Sequence, residues 1–121
     1  MQKKKFKKIV CFDLDNVICK TKNKNYRNAQ PIKNNIKKIN ELFAKGYMIK
    51  IFTARYMGRN RENIFAARKQ GYKMTYNQLK KWKVCFHKLL FGKPSFDLFI
   101  DDKSIYFKNN WQKDITNFLK R

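Results

Sequence analysis

Acidic side chains are scarce in this chain. Only 8 Asp and Glu stand against 30 Lys and Arg in 121 residues, a formal net charge of +22. Such an excess makes a field that attracts anions, phosphates and nucleic acids among them. Cysteine is thin as well: Cys11, Cys19 and Cys85 form no C-x-x-C pair. An odd count does not suit a disulfide framework, so they read as reduced, mostly buried thiols. The single histidine, His87, has no cluster of Cys or His around it, which excludes an ordinary zinc site. No apolar run approaches the roughly 18 residues that cross a bilayer. The apolar stretch 9–12 meets Asp13 after four residues, too soon for a signal-peptide core. No repeat or low-complexity linker appears. What remains is a soluble, cytoplasmic chain with no membrane partner, 43% hydrophobic, long enough for one core and too short for two ordinary domains.

The charge has a bland rival. Lysines outnumber arginines 24 to 6, and Asn, Ile, Phe and Tyr are plentiful, a bias that an AT-rich coding sequence produces whatever the function. The acids say more than the bases. Of eight carboxylates, four fall in two tight pairs, Asp13 with Asp15 and Asp101 with Asp102.

Residues 8–14 form a short apolar, β-branched run that predicts a buried strand, followed by a polar loop over 16–30. Pro31 opens a helix whose apolar positions Ile32, Ile36, Ile39, Leu42 and Phe43 recur at helical spacing until Gly46 stops it. Residues 47–53 predict a second strand. Asn60 caps a helix ending at Gly71, and Thr75 with Gln78 has the form of a capping box that starts a third. Strands are expected at 84–91 and 98–100, and a last helix over 114–119. The basic opening, residues 1–7, reads as a flexible tail. Alternating strands and helices predict an α/β fold: a single Rossmann-like, three-layer domain with a mostly parallel sheet covered on both faces.

In such sheets chemistry gathers beyond the carboxyl ends of the strands, and Asp13, Thr53 and Asp101 each end an apolar run. Asp13 and Asp15 are two apart, so an extended backbone points both at one pocket. One carboxylate can attack phosphorus while the other protonates the departing oxygen and activates water. Clustered acids repel, and a hard divalent cation such as Mg2+ relieves this, with Asp101 and Asp102 supplying further oxygen ligands. A transferred phosphoryl group also calls for a cation and a hydroxyl donor, for which Lys93 in Gly92-Lys93-Pro94 and Thr53 are the candidates.

Four segments in order, Asp13-Leu14-Asp15-Asn16-Val17, Ile51-Phe52-Thr53-Ala54-Arg55, Gly92-Lys93-Pro94 and Ile100-Asp101-Asp102-Lys103, resemble the motifs of the haloacid dehalogenase-like (HAD) phosphatase superfamily. The resemblance covers nearly the whole chain. It implies Asp13 as nucleophile, Asp15 as acid and base, Thr53 and Lys93 as phosphate ligands, and Mg2+ held by Asp13, the Asp15 carbonyl and Asp101, with Asp102 bound directly or one step removed. Asn16 and Val17 stand where Gly and Thr are frequent in the family. More narrowly, Tyr26, Ala29-Gln30-Pro31, Thr53-Ala54-Arg55, residues 78–82, His87 and Gly92-Lys93-Pro94 resemble small phosphatases of capsular polysaccharide biosynthesis that lack a large cap domain. That likeness implies a phosphorylated small molecule as substrate, a sugar or polyol phosphate. Arg55, Tyr26 and His87 are then expected at the substrate, and an open site is closed by a homo-oligomer or left open to larger substrates.

Each residue has a plainer reading. Thr53 also suits a strand, Lys93 a surface, Arg55 a structural salt bridge, and Tyr26 and His87 packing. Lys80-Lys81-Trp82-Lys83 could grip single-stranded nucleic acid, but a solvated helix face needs no ligand. Two other functions stay open beside the small-molecule phosphatase: a nucleic-acid 3'-end phosphatase, and a non-catalytic basic nucleic-acid-binding module.

Overall fold

The computed structural model describes residues 5–120. In chain order the elements are β1 (Ile9–Asp13), β2 (Cys19–Lys20), a 3-10 turn (Tyr26–Asn28), β3 (Gln30–Pro31), α1 (Lys33–Ala44), β4 (Met48–Thr53), a second 3-10 turn (Gly58–Asn60), α2 (Ile64–Lys81), β5 (Lys88–Phe91) and α3 (Trp111–Leu119). The main sheet runs β1-β4-β5, parallel throughout, with β2 and β3 as a small antiparallel pair beside it. This is a small α/β fold of Rossmann-like kind. No helix among the described residues is long and apolar enough to cross a membrane.

The register explains the core. Val10 and Phe12 lie opposite Ile49 and Ile51, and Leu89 and Phe91 lie opposite Ile51 and Thr53, so these residues share one face. Crossovers β1–α1–β4 and β4–α2–β5 step the same way across the sheet, and right-handedness puts both helices on one side. Trp111 brings α3 to that side: its ring packs edge-on to Phe12 at 5.7 Å, and its Nε1 donates to Asn35 Oδ1 of α1 at 3.0 Å. Leu14, Ile18, Ile39, Ile49, Ile51 and Leu79 are fully buried there, each worth roughly 1.5–3 kcal/mol.

The opposite face carries no helix among the described residues: Ile9, Cys11, Lys88 and Leu90 are exposed, and Met48, Lys50 and Phe52 of the central strand are half-buried. The expected third layer and two-sided cover are therefore corrected to helices on one face. The cause lies in residues 98–100, which form no strand: among the described residues no segment pairs with the free edge of β1, and no crossover carries a helix to the far side.

Other expectations shift too. Pro31 belongs to β3, and the helix begins at Lys33. Gly71 does not end a helix. One helix, α2, runs through it and through the supposed capping box, because the missing side chain makes room for the Tyr56 ring, which a Cβ at 71 would overlap. Its cap is Asn63, whose side chain accepts from Ala66 N at 2.9 Å. Asn60 instead ties the turn, donating to Tyr56 O at 2.8 Å. β5 is limited to Lys88–Phe91, and α3 starts at Trp111. Residues 1–4 of the supposed tail lie outside the described residues. Lys7 is docked, its N donating to Gly46 O at 3.1 Å, and Phe6 meets the His87 ring at 4.7 Å. Of the cysteines only Cys19 is buried, its thiol pushed up to about 11 mainly by loss of solvent; Cys11 is exposed.

Candidate active site

Three loops leave the carboxyl ends of β1, β4 and β5 side by side, and the expected residues travel with them. Asp13 ends β1, its Oδ1 accepting from Leu14 N at 2.9 Å. Thr53 ends β4 in the strand next door, fully buried, its Oγ1 accepting from Arg55 N at 3.1 Å. The loop after β5 is anchored to that strand, since Lys93 N donates to Thr53 O at 3.2 Å. Gly92 makes the turn at φ +104°, a conformation that side chains resist. The result is an ion pair across strands, Lys93 Nζ to Asp13 Oδ1 at 3.6 Å. Burial pushes the Asp13 carboxyl above its ordinary value, and the charge of Lys93 is the largest opposing influence.

Asp15 reaches the same cleft by a different backbone. The chain turns at once after Leu14, with Ile18 N donating to Leu14 O at 2.8 Å and Asn16 at φ 68°. The Asp15 carboxylate is held two-pronged by Arg55, Nε to Oδ2 at 3.0 Å and Nη2 to Oδ1 at 2.9 Å, and accepts from Thr21 Oγ1 at 2.6 Å. Arg55 is 1% exposed. Its Nη1 donates to Gln78 Oε1 at 2.7 Å and Thr75 Oγ1 at 3.3 Å, residues three apart on one side of α2. Gln78 Nε2 in turn donates to Tyr26 O at 2.8 Å. A guanidinium so enclosed has no donor free for a substrate anion, so the substrate-contact expectation for Arg55 is corrected in favour of the structural ion pair.

The cleft has a volume of about 630 Å3 and is lined by Asp13, Asp15, Thr21, Tyr26, Arg55 and Lys93 among others. Tyr26 thus stands where expected, its ring 4.9 Å from the Arg55 guanidinium. His87 does not. It precedes β5, where its N donates to Ile49 O and its Nδ1 accepts from Ile49 N, both at 2.9 Å, and its ring stacks on Phe43 at 4.4 Å. That is the amino end of the sheet, away from the cleft.

Asp101 and Asp102 are not brought to Asp13 either. They lie exposed on the segment after β5, where Asp101 Oδ1 accepts from Lys103 N at 3.0 Å in a local turn. Among the described residues no group of three or more His, Cys, Asp or Glu side chains is gathered to hold a metal ion. Asp13 is turned to Lys93 and Asp15 to Arg55, so the donor set as placed does not fit the expected Mg2+.

Sequence reasoning passed over Thr21, Lys24, Tyr56 and Arg59, all at the cleft or against Asp15. Thr21 and Lys24 fell in a polar loop without periodicity, and nothing in residue order joins them to residue 59.

No protein-family pattern matches the chain, and no curated protein does. Among solved structures, one of a Vibrio cholerae protein superposes with a TM-score of 0.77 at 23% identity, covering 92% of this chain and 98% of that one. A chain in a Pnkp1/Rnl/Hen1 complex superposes with a TM-score of 0.52 at 19% identity, covering 98% of this chain but 36% of that one. At these identities the likeness is one of fold, and it spans this chain almost from end to end.

Proposed function

We propose that this chain is a phosphomonoester hydrolase of the HAD-like type, with the Asp13 carboxylate as nucleophile. The observation that carries the reading is the meeting of Asp13, at the end of β1, and Lys93, on the loop after β5, in one cleft as a 3.6 Å ion pair, with Thr53 buried at the end of the strand between them. An Asp13 oxygen forms a bond to phosphorus, the bond from phosphorus to the leaving oxygen breaks, and that oxygen takes a proton. Water then cleaves the aspartyl phosphate and restores the carboxylate. Lys93 offsets charge on the transferring group. Asp15 is the acid and base of this scheme, and Arg55 with Thr21 fixes where its oxygens stand. Asp13 and Asp15 face Lys93 and Arg55, and the carboxylates as placed gather no metal ion among the described residues.

The substrate class favoured is a small sugar or polyol phosphate, on the motif likeness to capless phosphatases of surface-polysaccharide synthesis. Neither the loop between β1 and α1 nor that between β4 and α2 holds an inserted domain, which suits an open site. A second reading, a nucleic-acid 3'-end phosphatase, draws on the net charge of +22.

Phosphate release from an aryl phosphate, a panel of sugar and polyol phosphates and a 3'-phosphorylated oligonucleotide, with and without added magnesium, tests the proposal. Release by the wild type that disappears in Asp13→Asn supports it, and the best substrate chooses between the readings. Equal release by both proteins, or none from any substrate, overturns it.

A further inference from the structure

The cleft has cations that the proposed chemistry does not use. Lys24 and Arg59 line it together with Tyr26 and Gly58, from the loop after β1 and the loop after β4. The two loops meet at Gly58, the residue before Arg59, where an added Cβ would stand 3.4 Å from Lys24 Nζ. Neither forms an ion pair with a carboxylate among the described residues, where the cleft's Asp13 and Asp15 are already taken by Lys93 and Arg55. Like charges lining one cleft repel, and an anion bound there relieves the cost.

Arg59 is also held rather than loose. Its guanidinium lies 4.8 Å from the Tyr56 ring centre and 5.6 Å from that of Tyr26, and those two rings pack edge-to-face at 4.9 Å. Packing against two aromatic rings restrains the guanidinium and lowers the entropy lost on taking a ligand. The backbone supports the same conclusion. Asn23, Lys24, Tyr56, Arg61 and Glu62, all in these two loops, adopt left-handed φ of 51°, 58°, 65°, 54° and 61°. Each costs on the order of 1 kcal/mol for a residue other than glycine, and such residues concentrate where a site is being shaped.

We propose that Lys24 and Arg59 form a second anion subsite, which takes a phosphate or carboxylate on the leaving group while the scissile phosphate sits at Asp13 and Lys93. The proposal rests on the phosphatase reading for the first anion. It narrows the substrate class to phosphomonoesters with a second negative group, a bisphosphate or a phosphorylated acid, over neutral sugar or polyol phosphates.

The test compares kcat/KM for phenyl phosphate, 4-carboxyphenyl phosphate and a sugar bisphosphate, in the wild type and in the double variant Lys24→Ala with Arg59→Ala. The expected result is a preference of about tenfold for the doubly anionic substrates in the wild type, shrinking toward one in the double variant and with rising salt. The carboxylate and bisphosphate arms show which anion the subsite prefers. No preference in the wild type, or one that survives the double substitution, overturns the subsite. If no substrate turns over, the phosphatase reading has failed, and the subsite is judged by calorimetric titration of the bisphosphate: binding weakened at least fivefold in the double variant sustains it, and unchanged binding overturns it. Near-native melting and circular dichroism of the double variant, expected for exposed side chains, confirm that a folded protein is compared.

Discussion

The two acid pairs of this chain look alike in sequence and end up unlike in every physical respect. Both close a short apolar run. The run before Asp13 becomes β1, with five residues in register on β4, and its carboxylates are drawn into a half-buried cleft and given cationic partners. The run before Asp101 joins no ladder. Leu98 is 77% and Ile100 88% exposed, and the acids close a small turn whose Ser104 hydroxyl donates to Asp101 O at 3.1 Å. Their titration diverges accordingly. Loss of solvent raises the Asp13 carboxyl above its ordinary value, while the Lys103 amide, followed by Asp102, holds Asp101 below its own. An apolar run ending in acids is thus a motif only when the sheet accepts it, because the backbone must find partners before the side chains can be aimed.

The largest expected difference between the pairs is chemical. Asp13→Asn keeps size and shape but removes the nucleophile, and phosphate release should fall by at least about a thousandfold. Because the buried carboxyl is costly to ionise, the same substitution should leave the melting temperature at neutral pH unchanged or raised. A variant that lost activity by unfolding would show the opposite in a thermal melt.

Hydrogen exchange gives the next largest contrast. Amides of β4, between two strands, should exchange about a thousandfold or more slowly relative to an unstructured peptide, and those of residues 98–100 close to the peptide rate. Protection at 98–100 would break the comparison. It would mean that this run pairs in solution, with β1's free edge the available place, and would carry Asp101 toward Asp13 as the motif order implies.

Stability separates the pairs further. Removing Asp15 leaves the buried Arg55 without its main partner, so Asp15→Ala should cost about 3 kcal/mol, or about 10 °C in melting temperature. Asp101→Ala breaks only a local turn and should not shift the melt measurably. Arg55→Met, which removes the other member, should destabilise less than Asp15→Ala, since Asp15 keeps Thr21 and some contact with water.

Much of this was readable from residue order. Alternation and apolar spacing located β1, α1 and β4, and the strand-end rule put Asp13 and Thr53 at the ends of neighbouring strands, though it put Asp101 at a third strand end that does not form; Lys93 was legible only from its tight Gly92-Lys93-Pro94 loop. The rest depends on what meets what. Gly71 reads as a helix stop because glycine usually is one, and only the Tyr56 ring against it shows why a helix keeps it. Arg55 follows Thr53 closely enough to suggest an anion contact. Its true partners, Asp15, Thr75 and Gln78, lie 40, 20 and 23 residues away in sequence and become neighbours only through packing. His87 is recruited to the sheet's amino end by the Ile49 backbone, an interaction with no sequence signature. Residues 98–100 have the composition of a strand, but composition cannot supply a neighbouring edge.

The smallest effect concerns the proton on Asp13 and links the site's electrostatics to its chemistry. The attacking form is the carboxylate, and burial raises the pH at which it forms, so the acid limb of kcat/KM should lie above that of an ordinary aspartate. Lys93 is the main influence in the other direction, from 3.6 Å away. Lys93→Met should therefore lower the rate and also move the limb to still higher pH. The linked stability has a definite sign. A carboxyl whose folded value is raised favours the native state while protonated, and loses that advantage as pH climbs through the raised value. Wild type and Asp13→Asn should accordingly melt together in acid and separate, with the variant the more stable, over the same interval in which activity appears. In Lys93→Met both transitions should shift upward together. A limb that moved without the stability difference would assign the titration to another group.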